Sequence, residues 1–219
     1  TNDDDDVASA SLATKLIDAV CKENDFSQQL ALANTWSEIT GSAFFKITWD
    51  SEKGHALDAE GLIKEGDVTI DLCPPFEIFP EDIAITDIDK QSSIIHAKVL
   101  TTKEVKRIWN KDVKGGEVNV FSFDNVQAGG GFGYAASMPR VVKETREDSV
   151  TVIEKYEKPT REYPNGRLII VAGDTLLYMG DMPYLNGENG TRGYPFSKQV
   201  CIDNLSNFFG TSVVERIIP

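Results

Sequence analysis

Apolar residues at Val7, Leu12, Leu16, Ile17 and Val20 recur at helical spacing between Asp6 and Lys22, with aspartates at the amino end where they complement the helix dipole. A second helix is predicted from Phe26 or Ser27 to Ile39, with Leu30, Ala33, Trp36 and Ile39 inward. Together the two make a helical hairpin. Gly41 then stops the second helix, and the period changes from 3.6 to 2: Phe45, Ile47 and Trp49 alternate with Phe44, Lys46 and Thr48 as far as Asp50. A helix that ends at glycine and feeds an aromatic, β-branched strand packs back on that strand. The stretch from Thr35 to Asp50 is therefore expected to nucleate an α+β core.

A polar excursion, SEKGHALDAEGLIKEGD, separates this strand from the next, Val68 to Leu72, and predicts a hairpin with a long loop. Within it Asp50, Glu52, Asp58 and Glu60 surround His55, a pattern better accounted for by solubilising charge than by metal ligation. Pro74, Pro75 and Pro80 then deny ladder hydrogen bonds, so the segment is an extended edge or a turn that carries Phe76, Ile78 and Phe79 onto a core. Ile94 to Leu100 alternates as a strand, with His96 inside it as a hydrogen-bonded sheet residue. Thr101-Thr102-Lys103-Glu104 is a capping box that starts a short helix with Val105, Ile108 and Trp109 on one side, ended by Gly115 and Gly116.

Val118, Val120, Phe121 and Phe123 predict a short strand. The stretch AGGGFGYAAS, residues 128–137, reads as a loop or insertion: no Gly-Lys-Ser/Thr follows it, so it lacks the makings of a phosphate cradle. Val150 to Tyr156, Arg167 to Ala172 and Thr175 to Met179 are three strands joined by turns, an antiparallel meander. Glycine and asparagine cluster from Asn186 to Gly193, where Asn189 is formally a glycosylation acceptor, and Tyr194 to Phe196 is extended. A Thr211 or Ser212 cap before Val213, Val214, Ile217 and Ile218 begins a last helix.

Charge narrows the function classes. With 35 acidic against 22 basic side chains the formal charge is -13, spread along the chain, and such a surface repels a phosphate backbone. Groove-reading nucleic-acid binding is not expected. No apolar run approaches the roughly 20 residues of a membrane span, and no signal peptide is recognisable. Cys21, Cys73 and Cys201 are too far apart for zinc spacing and are expected as reduced thiols. His55 and His96 are the sole histidines, a thin stock of general bases. No metal and no cofactor is expected. The chain opens on Thr1 and closes on SVVERIIP, as a fragment of a longer protein would.

Taken in order, TWSEITGSAFFKITWD, a loop, VTIDLCPPFEIFPED, a strand with the TTKEVKRIW helix, the meander and NFFGTSVVERIIP resemble the amino-terminal half of a tailed-bacteriophage portal protein, from about Trp36 to the end. The resemblance implies an α+β fold with 1–148 wing-like, 149–185 a clip-like β-meander, and 186–219 a return segment leading into a truncated helix. It also implies a homo-oligomeric, dodecameric ring at one capsid vertex of the virion, made in the host bacterial cytoplasm. Its partners would be other copies of itself, the terminase, head-tail adaptor proteins, capsid protein and double-stranded DNA passing through without sequence-specific binding.

Such a role is architectural and needs no catalytic residue. Meander strands would add edge to edge between neighbours. Glu154, Lys155, Glu157, Lys158 and Arg161 are then candidates for intersubunit or motor-docking contacts, the alternative being an ordinary solvated strand face. Two rivals stay open: another phage head-tail or baseplate protein, and a hydrolase using paired carboxylates such as Glu154 and Glu157. Three residues apart on a strand, that pair falls on opposite faces and is ill placed to flank one bond.

Overall fold

The computed structural model describes residues 4–58, 63–124, 140–185 and 190–217. The chain is α+β, and among the described residues its sheets are antiparallel, one of three strands and one of six. It divides into two compact units, Thr1–Ile94 with Pro183–Pro219, and Ile95–Met182.

In the first unit, helix α1 (Asp4–Glu23) turns through Asp25, at φ 48, into α2 (Phe26–Thr40). Gly41 takes φ 90 and its N–H donates to the Ser37 carbonyl at 2.8 Å, which stops α2 as expected. Strand β1 (Ser42–Asp50) follows, pairing with β2 (Asp67–Cys73) from Phe44↔Cys73 to Asp50↔Asp67. Its other edge takes β9 (Phe196–Val200), from Ser42↔Val200 to Lys46↔Phe196, a pairing the sequence did not announce. Residues 42–45 of β1 are buried on both faces. Phe45 meets Phe26 of α2 at 5.4 Å, while Phe44 stacks on Phe208 at 5.7 Å. Beyond Lys46 the cover ends, and Ile47 and Trp49 are exposed despite their alternation.

Polar side chains close two open places in this unit. The outer edge of β2 is covered by the α1–α2 turn: the Asn24 amide donates to Val68 O and accepts from Ile70 N–H, and Gln29 donates to Ile70 O. A side-chain amide thus stands in for a fourth strand. At the other side the Lys198 ammonium donates to the carbonyls of Thr86 and Phe208 and lies over the Phe208 ring. Burial pushes its pKa below the usual lysine value. It ties two loops to β9.

Several apolar positions depart from expectation. Val7, Leu12, Leu16 and Ile17 of α1 are exposed, and only Val20 and Cys21, near α2, are half-buried. At 1.5 Å per residue α1 is about 30 Å long, and only its last turns reach α2. Of α2, Ala33 and Trp36 are buried as expected, whereas Leu30 and Ile39, expected inward, are exposed. The Pro75–Glu77 segment is a 3-10 turn leading to the short strand β3 (Ile78–Pro80); Ile78 enters the core, but Phe76 and Phe79 stay outside, Phe76 leaning edge-on against Trp36.

The second unit holds most of β4 (Ser93–Thr101), then α3 (Thr102–Trp109), β5 (Gly116–Asp124), β6 (Arg140–Glu157), β7 (Arg167–Ala172) and β8 (Thr175–Gly180). Their order is β4-β6-β7-β8, with β5 also on β6. The expected meander is present, paired from Val152↔Ala172 to Glu157↔Arg167 and from Leu168↔Gly180 to Ala172↔Thr175, but its first strand begins at Arg140 rather than at Val150, the added length being paired with β5. The capping box is complete: Glu104 N–H donates to Thr101 Oγ1, and the Glu104 carboxylate accepts from Thr101 N–H at 2.8 Å. Helix α3 ends at Asn110, in the left-handed conformation at φ 52, rather than at Gly115 and Gly116. Asn tolerates that conformation through its short polar side chain, so no glycine is needed.

The last helix, α4 (Val213–Ile217), belongs to the first unit and is capped by Ser212 Oγ, which accepts from Glu215 N–H at 2.8 Å. The glycine-rich stretch 128–137, Glu60, Asn189 and Ile218 lie outside the described residues. Among those described, no helix is long and apolar enough to cross a membrane.

Candidate functional site

The five charged candidates lie on or just after the end of β6, where its pleat separates them into two groups. Lys155 and Glu157 share one face. The Glu157 carboxylate accepts from Arg167 Nε at 2.6 Å, across the Glu157↔Arg167 rung, and meets Lys155 Nζ at 2.7 Å. Arg167 in turn lies over the Tyr163 ring, 4.2 Å from its centroid. The hydrogen bond from Arg167, more than any other contact, holds the Glu157 carboxyl below its ordinary range, with Lys155 assisting. This carboxylate is thus satisfied within its own strand pair.

Glu154 projects to the opposite face. His96 of β4 lies with Nδ1 3.1 Å from Glu154 Oε2, and the Tyr156 hydroxyl donates to the same oxygen at 2.7 Å. His96 and Tyr156 are almost fully buried, at 2% and 1% exposure. His96 is therefore the hydrogen-bonded sheet residue expected of it, locked to β6 by a network whose members support one another in low dielectric. Alternation on β6 puts Glu154 and Tyr156 on one face and is visible in the sequence. The histidine, 58 positions away, carries no local signal.

The structure thus brings Lys155 and Glu157 together and sets Glu154 apart from both. Arg161 is exposed in the β6–β7 connection, and Lys158 is half-buried just after β6. Glu154 and Glu157 face opposite ways, so this pair does not flank a common bond. Arg167, the residue that neutralises Glu157, was missed. Closing the β6–β7 hairpin on its turn would have placed it opposite Glu157.

In the first unit a shallow apolar groove of about 480 Å³ is lined by Ile47, Pro183, Tyr184, Leu185, Pro195 and Phe196. Its walls can hold an apolar side chain but present no charged group for proton transfer.

The two motifs that frame the sequence meet in this unit. Gly41 follows α2 and Gly210 precedes α4, and their backbones cross so closely that a β-carbon on Gly41 would sit 2.0 Å from Gly210 O. Gly210 N–H donates to Ser42 Oγ at 2.8 Å, and Cys201 N–H donates to Gly41 O at 3.0 Å. No protein-family model matches the chain, and no curated protein is similar enough to it to count as a relative.

Proposed function

We propose that this chain is the amino-terminal and central part of a portal subunit, one copy in a ring through which DNA enters and leaves a phage capsid. The contact between Gly41 and Gly210 carries the proposal. The TGSAFF and NFFGTS stretches anchor the resemblance at its two ends, and they pack as one unit although 168 positions separate Ser42 from Gly210. Two further observations support it. The elements occur in the order the resemblance requires, and the acidic surplus suits a wall past which DNA must slide without adhering.

On this reading the role is architectural, with a heterologous contact closing a ring. The wing-like part is 1–148 and the clip-like part 149–185. Glu157 is internally neutralised by Arg167 and Lys155. Arg161, exposed on the connection, is then the better candidate for docking a neighbour or the packaging motor.

Light scattering and electron microscopy of the natural full-length chain test this. Particles of about a dozen copies around a central hole are expected. A monomer at all salt concentrations would overturn the reading.

A further inference from the structure

Strand β6 is 18 residues long, and its two halves have different surroundings. Strand β7 pairs only with residues 152–157. Strand β4 lies along the same later half, since His96 reaches Glu154 and Thr102, just past β4, hydrogen-bonds Asp148. In the earlier half, Arg140 to Arg146 pair with β5, and among the described residues the contacts from β4 and its end fall at Asp148 and beyond. Residues 143–148 are exposed without exception, so both faces of this part of the ribbon meet solvent. A two-stranded ribbon is marginal by itself in water and leaves one edge of β6 with unpaired backbone groups.

The residues along that edge read Lys143-Glu144-Thr145-Arg146-Glu147. Among the described residues none of the four charged ones makes an ion pair within the chain. Opposite three of them on β5 stand uncharged residues, with Phe121 facing Lys143, Val120 facing Glu144 and Val118 facing Arg146, while Glu147 lies at the register shift beside Glu117, a like charge. Their charges are therefore uncompensated, and their order is self-complementary. When the segment is laid antiparallel on a copy of itself, every charge meets its opposite.

We propose that this edge pairs with the same edge of a second copy, antiparallel about a two-fold axis at Thr145. Lys143 then faces the partner subunit's Glu147, Glu144 faces the partner subunit's Arg146, and the reverse pairs follow by symmetry. The pairing ends where the strand bends, at Asp148 with φ 47 and the register shift opposite Gly116 and Val118. Opposite charges directly across an antiparallel pair are favourable and like charges unfavourable, so the pattern selects this register. A phosphate backbone is a poor occupant, because Glu144 and Glu147 would repel it. The contact is isologous and therefore distinct from the heterologous contact that closes a ring.

Sedimentation equilibrium of the chain at low and high salt is the first test. The two-fold species should weaken as the Debye length falls from about 10 Å at 0.1 M to about 3 Å at 1 M. Glu144→Arg and Arg146→Glu each set like charges face to face twice, and each should raise the dissociation constant about tenfold or more. The double variant Glu144→Arg with Arg146→Glu restores opposite charges and should recover the wild-type constant. Recovery would also exclude misfolding as the cause in the single variants.

Independently, Thr145→Cys places two sulfurs on the axis. Directly opposed Cα atoms lie about 4.5–5.5 Å apart, within disulfide reach. Mild oxidation should link this variant into dimers while the wild type, with its native cysteines, stays unlinked. Three results would overturn the proposal: a double variant no tighter than the single ones, no Thr145→Cys link, or a monomeric wild type whose ribbon is protected only by another protein. Rings without the Thr145→Cys link would overturn this contact alone and leave the portal reading standing.

Discussion

Replacing Gly210 by alanine adds one methyl group at the most crowded backbone crossing among the described glycines outside the left-handed region. The new carbon would lie 2.4 Å from Gly41 O, 2.9 Å from Ile202 O and 3.0 Å from Val200 Cβ, where ordinary contact begins near 3.4 Å. Two of these atoms are already fixed: Gly41 O accepts from Cys201 N–H at 3.0 Å, and Ile202 O accepts from Thr211 N–H at 2.9 Å. Relief means either compressing the crossing, at about 1–3 kcal/mol for an added methyl in a filled space, or giving up hydrogen bonds worth about 0.5–1.5 kcal/mol each. A loss of about 2–4 kcal/mol is expected. Gly41→Ala should cost more, because φ 90 adds the left-handed penalty of about 1–2 kcal/mol. Gly116→Ala is the control, since nothing lies within 4 Å of its would-be β-carbon. Urea unfolding followed by tryptophan fluorescence reads the effect, with Trp36, 4% exposed, as reporter in the same unit. With a slope near 2 kcal/mol per molar, the Gly210→Ala midpoint should fall by about 1–2 M. A midpoint within about 0.25 M of the wild type, with the slope unchanged, would refute the crossing as described.

Asn24→Ala uncovers the β2 edge by removing both its bonds to Val68 and Ile70; a loss of about 1–3 kcal/mol and faster hydrogen exchange at the Ile70 amide are expected. Thr101→Ala removes the acceptor for Glu104 N–H and should cost about 1 kcal/mol in thermal or urea unfolding, with Thr101→Ser retaining most of the stability. Glu157 has its pKa lowered from 4.5, so its stabilising contribution is complete above pH 4.5 and is lost as pH falls through the lower folded value. Urea midpoints measured from pH 6 to 3 should therefore fall less steeply in Glu157→Gln than in the wild type, and equal slopes would show that the Arg167 contact does not form in solution.

Local rules carried much of the fold. The 3.6 and 2 periodicities located α1, α2, β1, β2, β4 and the meander, because each signal is contained within one element. The stop at Gly41 and the box at Thr101–Glu104 were equally plain, since a cap involves residues within one turn of each other. Periodicity marks a stripe but does not choose what covers it. The stripe of α1 is largely bare, whereas Phe44 and Phe45, on opposite faces of β1, are both buried because α2 lies on one side and Phe208 on the other.

The candidate charges followed the same division. That Glu154 and Glu157 face apart was readable from a period of 2. Only the pairing of distant segments decided that Glu157 is neutralised by Arg167 and Glu154 is held by His96. The sequence by itself determined the type and order of most helices and strands, but not every boundary: β6 begins at Arg140, ten residues before the predicted Val150, because a polar, exposed ribbon carries no hydrophobic alternation. The addition of β9 to β1, the crossing of Gly41 with Gly210 and the cover of β2 by Asn24 were decided by tertiary structure. Each joins residues tens of positions or more apart, and a contact between distant segments leaves no periodic trace in either.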